Sequence, residues 1–202
     1  MLHLASQSPR RHALLTRLGI PFAVLDVDVV ERREPGEAAE GYVRRVARDK
    51  AGAGLLQVAS SATAAVLAAD TEVILDDAVF GKPADAADAA RMLRSLSGRT
   101  HRVVTALSLV SAGREARVES VSDVAFADLS PAAIACYLDG GEWIGKAGAY
   151  AIQGAGEVFV RHLSGSYSGV MGLPLFETGC LLRDFGFDLP LLGPAPPSGD
   201  AG

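Results

Sequence analysis

A-A-V-L-A-A-D-T-E, Ala64 to Glu72, is the stretch that decides the fold. From Ala64 to Ala69 every residue is apolar, with no polar residue alternating among them. An unbroken run of that length is what a strand buried on both faces requires, and such strands belong to layered α/β sheets. The run stops at Asp70-Thr71-Glu72. The strand is therefore expected to end there, with Asp70 at the edge of the sheet, where open α/β sheets bind ligands. A carboxylate in that place can hold Mg²⁺, act as a general base on water, or do both. An aspartate that only caps the next turn is the alternative.

Upstream, apolar spacing predicts a helix from about Ala38 to Leu56, with Val43, Val46, Ala47 and Gly54 on one face. Lys50 falls on the same stripe, so it either snorkels outward or reaches a buried anion. A strand-like run precedes this helix, Phe22 to Val30, ending at Glu31 and the polar loop E-R-R-E-P-G-E. Glu31 is either a second metal carboxylate or part of a solvated face. At the start, L-A-S-Q-S-P-R-R (Leu4 to Arg11) reads as a short strand ending at Ala5, then a polar loop. Ser8 caps a helix with Pro9 at its first position, closed by Gly19. Arg10 and Arg11 sit in the first turn, the wrong sign of charge for a helix N-terminus. Free N–H groups and two guanidinium groups at one point suit phosphates, although two solvated arginines fit the same residues.

Downstream, Val73 to Phe80 reads as a strand that turns near Asp76 and Asp77, followed by G-K-P with Lys82. A helix capped by Asp85 runs to Leu96, with Gly98 beyond its end. Strands follow at Val103 to Val110 and Ala116 to Ala127, then a helix opened by Ser130 and Pro131. A glycine-rich stretch from Gly140 to Gly156 lets backbone approach a ligand and carries Lys146 and Gln153. The Gln153 amide can donate and accept at once, as reading a pyrimidine edge needs, or it can brace a turn. Glu157 to Leu163 reads as a strand, and Pro174 opens a final helix to about Phe185. Helices alternating with strands and hairpins imply an α/β fold with a mixed central sheet flanked by helices.

The chain has 202 residues, which suits one domain over 1–189, with a Pro/Gly-rich tail from 190 to 202 expected to be disordered. Apolar residues make up 49% and charged residues 21%, and the net charge is −5. That balance argues against a general nucleic-acid surface, so the basic loops must serve a local anion. The sequence has no secretory leader pattern and no apolar run of spanning length, so a cytoplasmic protein without membrane or nucleic-acid partners is expected. Cys136 and Cys180 are expected to be reduced core cysteines. The sequence carries no GxxxxGK[ST], GxGxxG or HExxH, and G-S-Y-S-G at 165–169 places Tyr167 where a nucleophile elbow needs serine.

Taken together, L-A-S-Q-S-P-R-R, V-A-R-D-K-A around Lys50, A-A-D-T-E-V at 68–73, G-K-P at 81, L-S-G-R-T-H at 96, K-A-G-A-Y-A-I-Q-G at 146 and G-L-P-L at 172 resemble the Maf family of nucleoside triphosphate pyrophosphatases. The resemblance implies a Maf/ITPase-like fold with a ligand cleft. It also implies cleavage between α- and β-phosphates, giving a nucleoside monophosphate and pyrophosphate. With Gln153, the I-Q-G form looks like the subgroup acting on dTTP and UTP. By resemblance, Asp70 would be the catalytic base, and Ser6, Arg10, Arg11, Lys50 and Lys82 would bind phosphates. Lys146 adds a further cation, and Glu31 would join Asp70 on a divalent metal, Mg²⁺ or Mn²⁺. Arg10, Thr71 and Gln153 match positions tied to substrate choice. The resemblance further suggests a homodimer. It leaves a rival of another class, a non-enzymatic nucleotide-binding regulator of septum formation. Many members carry an aspartate just before the K-A-G-A-Y lysine and a proline nearby, where this chain has Gly145 and Trp143. If that aspartate holds the metal, another carboxylate such as Glu142 has to compensate.

Overall fold

In a computed structural model of the chain, residues 1–191 are described; the expected tail lies outside them from 192 onward. Ala64 to Ala69 is the start of β3, Ala65–Leu75, the strand around which the molecule is organised. On one edge β3 runs antiparallel to β5 (Thr100–Ser111), in register from Ala65 opposite Ser111 to Ile74 opposite Arg102. Beyond β5 follow β6 (Arg114–Phe126) and β7 (Val160–Ser164), both antiparallel. On its other edge β3 is parallel to β1 (Leu2–Ala5), which is parallel to β2 (Phe22–Leu25). The order is β2-β1-β3-β5-β6-β7, a mixed sheet. Parallel neighbours need crossovers, and α1 (Pro9–Thr16) and α2 (Ala39–Gln57) supply them.

The two faces of β3 are covered differently. Its even positions face α2: Val43, Val46 and Ala47 pack on Ile74, Val104 and Ala106, and Ala51 on Ala5, Val66 and Ala68. At Gly54 a Cβ would stand 2.8 Å from Val66 Cγ1, so only glycine lets the helix sit this close. The odd positions, Leu67, Ala69 and Val73, enter the larger core with α1, α3 (Ala86–Leu96), α4 (Pro131–Asp139) and α6 (Leu175–Asp184). The caps follow the sequence: Ser8, Asp85 and Ser130 each accept from a backbone N–H of the first turn.

The structure corrects several sequence expectations. The first concerns β3, which runs through Asp70-Thr71-Glu72 rather than ending there, because β5 keeps pairing across those residues. The interruption is on the other edge. β1 pairs only as far as Leu67, and the short β4 (Ala78–Phe80) pairs only from Val73, leaving 68–72 open there. By contrast, β2 stops at Leu25, since β1 offers partners only from Leu2 to Ala5. Glu31 therefore stands in an irregular link and not at a strand end. The first half of the Glu157–Leu163 segment is a 3₁₀ turn, Ala155–Phe159, and a short helix, α5 (Tyr167–Met171), went unforeseen. Both cysteines are free as expected, yet Cys136 is exposed and Cys180 half-buried, so neither is a core residue.

Candidate active site

The open edge at 68–72 forms the floor of a cleft of about 440 Å³ that takes in both faces of the sheet. Side chains alternate along β3, so Asp70 and Glu72 face α2 while Thr71 faces the opposite side. On the α2 side, Lys50 is 7% exposed. Its Nζ turns inward and lies 2.8 Å from Asp70 Oδ1 and 2.7 Å from Glu31 Oε1. Lys82 reaches the other oxygen of Glu31 at 3.0 Å. Glu31, Lys50, Lys82 and Asp70 thus make one ionic chain drawn from four separate segments. Burial would raise the Glu31 carboxyl, but the hydrogen bonds and charges of Lys50 and Lys82 outweigh it and hold the group at about 2. Asp70 Oδ2 is buried and has no hydrogen-bond partner.

On the opposite face, Ser6, Arg10 and Arg11 line the cleft at the start of α1. Arg11 is locked by donating from Nε to the Gly172 carbonyl at 2.8 Å and from Nη2 to Thr71 Oγ1 at 3.1 Å. Thr71 Oγ1 lies 2.8 Å from Thr105 Oγ1, and Thr105 donates to the Gly169 carbonyl at 2.8 Å. A hydroxyl has one hydrogen to give. Thr105 spends its own on Gly169 and so accepts from Thr71, which leaves Thr71 to accept from Arg11. Burial pulls the Arg11 guanidinium down, against the opposing charges of Asp70, Glu31 and Glu72, but an arginine keeps its proton. Arg10 Nε donates to the Met171 carbonyl at 3.4 Å.

The glycine-rich segment closes the remaining side. Gly148 adopts φ +68° where a Cβ would come within 2.8 Å of Val73 Cγ2, so glycine alone lets this turn rest on β3. The turn brings Lys146, half-buried, and Gln153, exposed at the rim, to the cleft. Lys146 Nζ donates to the Ile144 carbonyl at 3.0 Å. Glu142 does not offset Gly145: its Oε1 accepts from the Ala155 N–H at 3.1 Å, tying the glycine-rich segment to itself.

Sequence reasoning missed three groups here. Glu72 lines the cleft, and burial first, then repulsion from Asp70 and Glu31 against the pull of Lys82 and Lys50, pushes its carboxyl up to about 8. Carrying β3 through D-T-E would have exposed it, since positions two apart on a strand share a face. Tyr150 lines the cleft while its hydroxyl lies 2.9 Å from Nε2 of buried His101, which burial holds at about 4. Thr105 gave no signal, because its contacts come from chain positions far from it.

No group of three or more His, Cys, Asp or Glu side chains that could hold a metal is assembled among the described residues. The cleft still fits a hard cation of the Mg²⁺ kind, which takes one or two carboxylates and completes its shell with water and phosphate oxygens. The unpartnered Asp70 Oδ2 is an oxygen donor of that kind. Five cations and an unpartnered carboxylate oxygen around one cleft suit a polyphosphate ester and a water to be deprotonated beside it.

Known proteins bear on this geometry. The chain is 59% identical over 188 residues to a dTTP/UTP pyrophosphatase of Xanthomonas campestris pv. campestris, covering 92% of this chain and 99% of that protein. It is equally identical over 186 residues to a nucleoside triphosphate pyrophosphatase of Xylella fastidiosa strain M23, covering 92% and 98%. Among solved structures, the Staphylococcus aureus Ham1 protein superposes with a TM-score of 0.43 and 14% identity over 63% of this chain and 72% of that one. A model of the Maf-like protein family matches residues 1–185, and the chain belongs to that family.

Proposed function

We propose that this protein hydrolyses nucleoside triphosphates, dTTP and UTP foremost, to the monophosphate and pyrophosphate. The observation that carries the reading is Asp70. One of its oxygens is fixed by Lys50, and the other is buried without a partner beside a cleft ringed by arginines and lysines. The named activity of relatives 59% identical over nearly the whole chain supports the same reaction.

In this mechanism a water attacks the α-phosphorus, Asp70 takes its proton at Oδ2, and the bond from the α-phosphorus to the bridging oxygen breaks as pyrophosphate leaves. Lys50 holds the carboxylate in place through Oδ1. Arg10, Arg11, Lys82, Lys146 and the Ser6 hydroxyl bind the phosphates and balance the charge that grows on the leaving group. A divalent cation, Mg²⁺ or Mn²⁺, supplies Lewis-acid stabilisation of that charge when bound. Asp70 and Glu31 would hold it, Glu31 through lone pairs that its two lysines leave over. Gln153 stands at the rim, where its amide can donate to O4 and accept from N3–H of thymine or uracil. Thr71 contributes to substrate choice by fixing Arg11. No helix among the described residues is long and apolar enough to cross a membrane, and the reading places the enzyme in the cytoplasm with the nucleotide pool.

Pyrophosphate release measured with each nucleoside triphosphate, with and without Mg²⁺, tests this. Release that depends on Mg²⁺ and favours dTTP and UTP is expected. Tight binding of a triphosphate with no release would favour the regulator instead. Replacing Gln153 by Leu is expected to cost on the order of 1–3 kcal/mol in discrimination, because polar atoms of the base then go unpaired. An unchanged ranking of triphosphates would remove Gln153 from that role.

A further inference from the structure

The mechanism uses one carboxylate on the open edge of β3 and leaves the other without a task. Glu72 stands two residues beyond Asp70 on the α2-facing side of the strand. It is 9% exposed, lines the cleft, and its Oε2 has no hydrogen-bond partner. A buried carboxyl oxygen without a partner is unfavourable, so a residue of this type in this position calls for a counterpart. The nearby ammonium groups do not provide it. Lys50 divides itself between Asp70 and Glu31, and Lys82 is engaged by Glu31. Nor does a side chain cover the carboxyl from the G-K-P turn, where Gly81 has none; a Cβ there would stand 3.9 Å from Glu72 Oε2.

The acidic side chains of the cleft thus fall into two kinds. Both oxygens of Glu31 already hold ammonium groups, of Lys50 and Lys82, so it can offer the cation only the lone pairs these leave over. Asp70 and Glu72 each keep one unpartnered oxygen, on the same face of the same strand. No side chain of the cleft meets these two buried oxygens, and a hard divalent ion, which takes carboxylate oxygens as ligands, is the partner that satisfies both. We propose that Glu72 is a ligand of the divalent cation, taking it together with Asp70, each through its unpartnered oxygen. Asp70 Oδ2 has two lone-pair sites, so holding the ion does not remove it from proton transfer. The inference rests on the hydrolase reading in one respect only, that the cleft receives a divalent cation.

Glu72→Gln discriminates this role from a structural one. The amide keeps the size and polarity of a carboxyl that carries its proton, so a merely structural Glu72 would leave cation binding untouched. Binding of Mn²⁺ to the full chain is followed by the loss of the free-ion electron paramagnetic resonance signal, first without nucleotide and then with a dTTP analogue whose α,β-bridging oxygen is a methylene. Changes in ligands one step removed from a metal already cost about 10–100-fold in affinity. Glu72→Gln is therefore expected to weaken Mn²⁺ binding at least about tenfold, with circular dichroism and thermal unfolding confirming that the variant is folded. Mn²⁺ binding equal in wild type and Glu72→Gln overturns the proposal, as does failure of the wild type to bind Mn²⁺ in either state. Neither result depends on turnover, so each is separate from absence of pyrophosphate release, which would overturn the hydrolase reading instead.

Discussion

Asp70 has two oxygens in different circumstances, and the chemistry depends on that difference. Oδ1 is held at 2.8 Å by Lys50, while Oδ2 is buried and unpartnered. General-base catalysis is worth about 10²- to 10⁴-fold, so Asp70→Asn is expected to lose at least about a hundredfold in turnover. Removing one partner of a buried ion pair commonly costs about 3–5 kcal/mol. Here Lys50 keeps Glu31 at 2.7 Å, so the loss of stability should fall below that range. Steady-state turnover together with urea unfolding checks both parts, and near-normal turnover would take Asp70 out of the role. A second prediction concerns Thr105, buried behind Thr71. Thr105→Val takes the acceptor from the Thr71 hydroxyl and the donor from the Gly169 carbonyl, at a cost of about 1–3 kcal/mol for the stranded groups. Arg11 loses the fixed acceptor that aims it, so KM for the triphosphate should rise more than kcat falls. A fall in kcat alone would place the Thr71–Thr105 pair outside phosphate binding.

At the scale of elements, the site exists because β3 is longer than the strands that cover one of its edges. The apolar run made β3 legible, and the pattern around Lys50 made α2 legible, since both signals are local and periodic. The open edge at 68–72 was not legible, because it depends on where β1 stops and where β4 begins, and no residue within β3 records either. For the same reason the sequence puts Asp70 at a strand end, whereas it stands mid-strand. The strand–loop–α1 segment was read correctly down to its cap, because Ser8 and Pro9 act within a few residues of themselves. The glycine-rich segment announced flexibility but not its contact with β3. That contact supplies a third prediction. Gly148→Ala forces a side chain into φ +68° and against Val73 at 2.8 Å, and strain and overpacking of these kinds each cost about 1–3 kcal/mol. Adding Val73→Ala removes the clash but not the backbone strain, so the double variant should recover part of the stability in thermal unfolding. No recovery would mean that the packing of the turn on β3 is not what holds it.

At the scale of the whole molecule, much of the site is braced from the core, and acid should reach the protein through that brace. The Tyr150 ring, which lines the cleft, meets Phe126 edge-on with centroids 4.8 Å apart, and Phe126 packs likewise against His101 at 4.9 Å. His101 is 1% exposed, so its proton has no place in the folded state until pH falls to about 4. In the unfolded chain a histidine takes up its proton near pH 6.5. Between those values the unfolded state binds more protons, and stability falls as pH falls. At about 1.4 kcal/mol per unit, the loss through His101 has an upper figure of about 3.5 kcal/mol. Glu31 acts in a lower window, from its ordinary value down to about 2, and its half-exposed position screens the effect. Glu72 works the other way: its carboxyl, pushed up to about 8, takes its proton first in the folded state, so its contribution grows as pH falls from 8 towards its ordinary value. Urea unfolding between pH 7.5 and 4 therefore reads the balance of Glu72 and His101, and the His101 share is the difference between wild type and a variant without that titration. His101→Gln keeps a polar partner for the Tyr150 hydroxyl while removing the titration, so it should be less stable than wild type at pH 7.5 yet lose less between pH 6.5 and 4. The same change with pH in the two proteins would mean that His101 carries none of the acid sensitivity.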